Sequence, residues 1–68
     1  MTANQIRAAL DQLGLTQVAA AQLFGVEARS VRRWVSGNSP VPDAVAIVLR
    51  LVVAGKIALD DVEAARRR

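Results

Sequence analysis

Apolar residues recur along this chain at three- and four-residue intervals broken by glycines, a rhythm that predicts helices. Ile6, Leu10 and Leu13 share one face of a first helix, which Thr2 opens with Gln5 three residues later, the spacing of a capping box, and Gly14 closes. Thr16 is placed to cap a second helix, in which Val18, Ala21 or Ala19, and Leu23 with Phe24 turn inward while Gln17 and Gln22 stay polar, until Gly25 ends it. The run Ala19, Ala20, Ala21 presents small side chains that another helix can cross closely, with Ala21 as the expected crossing point; the helix propensity of alanine accounts for the run equally well.

A third helix over 27–36, projected at about 100° per residue, sorts its side chains cleanly. Val31, Trp34 and Val35 fall on one face, and Arg29, Arg32, Arg33 and Ser36 lie opposite. Burying Val31 and Trp34 therefore pushes the arginines outward as a group. Gly37 closes this helix, Asn38 to Val41 make a loop, and Pro42 suits the first position of a fourth helix with Asp43 in its first turn.

That fourth helix, about 42–54, reads AVAIVLRLVV through its middle, apolar on nearly every face except at Arg50. A helix apolar all round needs cover on both sides. After Gly55, an amphipathic segment over 59–68 turns Leu59, Val62 and Ala65 inward, either covering the fourth helix within the chain or crossing to a second copy. No strand-period stretch competes. The expected fold is all-α, a compact bundle of about five helices in a single domain over 1–68, with 42–68 as its dimerisation segment.

Composition narrows the function classes. With 53% hydrophobic and 22% charged residues the chain can bury a core, but 68 residues lie near the size at which a lone core is marginal. A second copy is therefore expected, with Ile47, Arg50, Leu51, Ala54, Leu59 and Val62 as its contacts. The absence of cysteine removes disulfides and thiolate chemistry, and the absence of histidine removes the commonest catalytic base and metal ligand. The acids are scattered apart from Asp60, Asp61 and Glu63, which fit the first turn of the last helix. No catalysis, metal, cofactor or small-molecule effector is expected. The apolar stretch over 44–55 is too short and too interrupted by Arg50 to cross a bilayer, and MTANQIRAAL lacks the features of a secretory signal.

The net charge of +3 matters less than its distribution, because Arg29, Arg32 and Arg33 form one cluster and Arg66, Arg67 and Arg68 another. Clustered arginine is an electrostatic footprint for phosphate, and an arginine-bearing outer helix face fits a major groove.

Gln17, Ala21, Gly25, Val31 and Trp34 in register, followed by Gly37 three residues after the tryptophan, resemble the phage-repressor and Cro-type (XRE-type) helix-turn-helix family, which has the lambda-repressor-like fold. The likeness covers roughly 6–52. It implies that the helix at 17–24 lies across the DNA backbone while the helix at 27–36 enters the major groove. It further implies base reading by Ala28, Arg29 and Arg33, contacts of Ser30 and Arg32 with phosphates or base edges, and backbone contacts from Gln17 and Asn38. Ser36 on the outward face joins the backbone set. Among these, Arg29 is the best candidate for a bidentate contact to guanine, Arg33 is divided between base and phosphate, and Arg32 favours phosphate. Trp34 is expected in the core rather than stacked on a nucleotide.

Two departures from the family pattern stand out. Glu27 occupies a position where a Ser or Thr cap is usual, predicting a helix start that is frayed or displaced by a residue. Ala28 replaces a polar reader and leaves only an apolar contact such as a thymine methyl. The resulting expectation is a cytoplasmic, sequence-specific double-stranded DNA-binding regulator, nucleoid-associated when bound. It would act as a homodimeric repressor on a palindromic operator, its own promoter included. The alternative is a small helical adaptor that binds a protein partner through its apolar fourth helix.

Overall fold

The computed structural model describes residues 1–67 and shows an all-α bundle of five helices: α1 (Ala3–Leu13), α2 (Gln17–Phe24), α3 (Ala28–Ser36), α4 (Asp43–Val53) and α5 (Leu59–Arg66). The helix starts follow local chemistry. At α1 the Thr2 hydroxyl accepts from the Gln5 N–H at 3.1 Å and the Gln5 side-chain oxygen accepts from the Thr2 N–H at 2.8 Å, the reciprocal pair expected. Thr16 accepts from the Ala19 N–H at 3.0 Å and opens α2. At α5 the Asp61 carboxylate accepts from the Ala58 N–H at 3.0 Å, half of the same device, since alanine has no oxygen to return.

Gly25 ends α2 in the left-handed conformation with φ +68, which lets the Val26 N–H reach back to the Ala21 carbonyl at 3.0 Å. Three residues, Gly25 to Glu27, then separate α2 from α3, short enough that the two helices pack on each other along their lengths. Gly37, at φ +85, ends α3 in the same way, with the Asn38 N–H on the Arg33 carbonyl at 2.9 Å.

The core gathers Ile6 and Leu10 of α1, Ala20 and Ala21 of α2, Val31 and Trp34 of α3, Val41 of the loop, and Val45, Ala46 and Leu49 of α4. Helix α1 packs on α3 and α4, and α2 packs on α3 and α5. The alanine pair is the meeting point of α2 with this core, as its small side chains allow.

Four expectations are corrected. Val18 is 57% exposed rather than inward, because it falls between the side of α2 that meets α3 and the side that meets α5. Pro42 is the residue before α4, not its first, with ψ 141 and its carbonyl accepting from the Ala46 N–H at 3.0 Å; burial of Val41 in the core just ahead of it holds the chain extended up to that point. Ala65 is exposed, and the half-buried residues of α5 are Leu59 and Val62 alone. Helix α5 also rests on α2 more than on α4, and does not cover the outer side of α4.

That outer side presents Ile47, Arg50, Leu51 and Ala54 at i, i+3, i+4 and i+7, all exposed, with Ile47 at 55% and Leu51 at 38%. Leu59 and Val62, the other expected dimer contacts, are half-buried on α5. No helix among the described residues is long and apolar enough to cross a membrane.

Candidate nucleic-acid interface

Helix α3 is short, and two side chains fix its rotation about its own axis. Val31 is 0% exposed and Trp34 is 6% exposed, both set among residues of α1, α2 and α4. With these two turned inward, the 3.6-residue repeat leaves Arg29, Arg32, Arg33 and Ser36 in solvent. Asn38, turned back by the Gly37 ending, joins them. These five residues line one open depression of about 480 Å³. Its floor is tied to the end of the helix: the Ser36 hydroxyl donates to the Arg33 carbonyl at 3.2 Å, and the Ser39 N–H reaches the same carbonyl at 3.2 Å.

The electrostatics of this surface are uneven. Arg29 pairs with Glu27, its Nε 3.0 Å from Oε2, whereas Arg32 and Arg33 have no acidic partner among the described residues. Two unpaired guanidiniums and one paired one therefore stand side by side on a single helix face. A surface of this kind attracts phosphate at long range and offers planar donors at contact.

The remaining sequence-derived candidates are placed differently. Ala28 is half-buried and packs against the core, which leaves little of its methyl group for an outside contact. Ser30 is half-buried, its N–H engaged with the Glu27 carbonyl at 3.0 Å. Gln17 is exposed but lies in a neighbouring depression with Arg7, Asp11, Thr16 and Val35.

No family model, curated protein or solved structure matches this chain.

Arg7 reads in the sequence as an ordinary surface residue. It shares the Gln17 depression, at the mouth of α2, and its guanidinium is held by the Asn4 side-chain oxygen. Nothing in the linear pattern marks it, because the approach of α1 to the start of α2 is a tertiary event. The second arginine cluster is dispersed rather than joined to the first. Arg66 turns toward Gly25 and Arg67 pairs with Glu63 at 2.6 Å, while Arg68 lies outside the described residues.

The start of α3 follows the sequence-based expectation for a weak cap. The helix begins at Ala28, one residue later than projected, and the Glu27 side chain makes no capping hydrogen bond. Its carboxylate is instead engaged with Arg29.

Proposed function

We propose that this chain is a sequence-specific double-stranded DNA-binding regulator of the phage-repressor and Cro-type kind, entering the major groove with α3. The observation that carries this reading is the division of α3 into a buried side, Val31 and Trp34, and a continuous outer side of Arg29, Arg32, Arg33 and Ser36 with Asn38 beside it. An arginine face on a helix anchored this firmly supplies both halves of recognition. Guanidiniums over phosphates give affinity, and a fork aimed at base edges gives selectivity. The chain carries neither histidine nor cysteine, which supports a binding role over a catalytic one.

The exposed stripe of Ile47, Arg50, Leu51 and Ala54 on α4 supports a two-fold dimer as the working species. Each copy measures 29 × 23 × 21 Å, a size at which two adjacent copies suit recognition helices spaced about 34 Å apart, one turn of DNA. Repression then follows by occlusion of a promoter, with the gene's own promoter the first one to examine. The same apolar stripe favours a second reading, an adaptor that docks a protein partner through α4. Sizing the chain alone and with duplexes selected from a random library separates the two: salt-dependent duplex binding by a dimer supports the regulator, and its absence supports the adaptor.

A further inference from the structure

We propose that Glu27 is a positioning residue that sets the base preference of this interface by holding Arg29, an inference that rests on the DNA-reading function above. Residues two apart on a helix do not face each other, so a pair such as Glu27 and Arg29 has no contact while both are helical. Here Glu27 stands just outside α3 with extended backbone, φ −75 and ψ 147, while Arg29 is in its first turn. That bend of the chain brings Oε2 to 3.0 Å from Nε. The carboxylate has no competing task, since it caps no backbone N–H.

Two consequences follow from which edge of the guanidinium is taken. With the carboxylate at the Nε edge, the two terminal amino groups stay open as the fork that matches guanine O6 and N7. The carboxylate also cancels the charge of Arg29 and repels phosphate at that spot, which steers Arg29 away from the DNA backbone. Arg32 and Arg33, which have no acidic partner among the described residues, are left to supply the backbone attraction. Glu27 thereby divides the cluster into one selective arginine and two adhesive ones. The pair is exposed on both sides, so its contribution to folding is small and its removal leaves the fold intact.

The test compares the native chain with E27Q, R29K and the double variant on a duplex selected from a random library, with each G·C pair replaced in turn by A·T. At one guanine the native chain discriminates by roughly 5- to 150-fold, the range of a bidentate contact, and both E27Q and R29K reduce this to within about threefold, with no further loss in the double variant. E27Q at the same time binds mismatched duplexes more tightly, with a salt dependence steeper by about one unit. Full discrimination retained in E27Q overturns the positioning role. So does a loss at a different base pair from the one R29K affects, because Glu27 then reads a base by itself. If the native chain binds no duplex in a salt-dependent way, the DNA-reading function fails and this inference fails with it.

Discussion

The guanidinium of Arg66, at the end of α5, lies over Gly25 in the turn between α2 and α3: a Cβ on that glycine would meet Arg66 Nε at 3.3 Å. The last helix thus touches the turn that sets the relative placement of the two helices before it. Gly25 is also left-handed, at φ +68, so a side chain there is opposed by backbone strain as well as by the arginine. Gly25→Ala is expected to lower stability by about 1–2 kcal/mol. In an Arg66→Ala background the cost should remain, because the backbone conformation is its main source and the arginine end is free to move. Thermal melts of the four chains check this, and a cost that vanishes without Arg66 would place the strain in the guanidinium contact.

Leu49 of α4 and Val31 of α3 are both 0% exposed and belong to the one core cluster. Leu49→Ala is expected to cost about 2–5 kcal/mol, comparable to the whole stability of a domain this small, about 3–5 kcal/mol. Circular dichroism should show loss of the cooperative transition at room temperature. A stable, cooperatively melting Leu49→Ala chain would contradict this packing.

Thr16 caps α2 through its hydroxyl, which accepts from the Ala19 N–H at 3.0 Å. Thr16→Ala should destabilise by about 1 kcal/mol, and Thr16→Ser should recover most of it. Chemical denaturation with urea measures both.

Arg29 and Arg33 are four residues apart on the exposed side of α3 and line the same depression. The double variant Arg29→Ala, Arg33→Ala should fold normally and lose duplex affinity, with the salt slope falling by about 1 unit, the share of Arg33, because Arg29 is paired with Glu27 and held off phosphate. Arg32→Ala should weaken binding evenly across sequences. Fluorescence anisotropy at several salt concentrations distinguishes these cases, and unchanged binding by the double variant would remove α3 from the DNA-reading role.

Ile47 and Leu51 sit one turn apart on the outer side of α4. Ile47→Asp with Leu51→Glu should leave the monomer fold within about 0.5 kcal/mol, as for exposed sites in general. It should abolish self-association in analytical ultracentrifugation and weaken binding to a two-half-site duplex far more than to a single half-site. A native chain that is monomeric both alone and on DNA would refute the dimer.

The sequence by itself determined the helices, the caps at Thr2, Thr16, Gly25 and Gly37 and the face that α3 presents, because each rests on interactions within about one turn, whereas the start of α4 depended on burial of Val41. The Thr2 and Gln5 reciprocal bonds, the left-handed Gly25 and Gly37, and the opposition of Val31 and Trp34 to the arginines are all readable from spacing. The resemblance added the assignment of contact positions, of which Arg29, Arg32, Arg33 and Asn38 lie together with Ser36 of the projected face, while Gln17 lies apart, Ser30 is half-buried and Ala28 packs on the core. Tertiary structure alone decided which apolar surfaces meet. Leu59 and Val62 fit equally well under α4 or under a second chain when read as a pattern, yet α5 rests on α2, where Leu59 meets Ala19 and Leu23 around one groove. Periodicity specifies that a face is buried and not what buries it. The partner depends on how several helices fill space together, and that is why Val18 and the outer side of α4 stayed in solvent while Arg66 came to rest over Gly25.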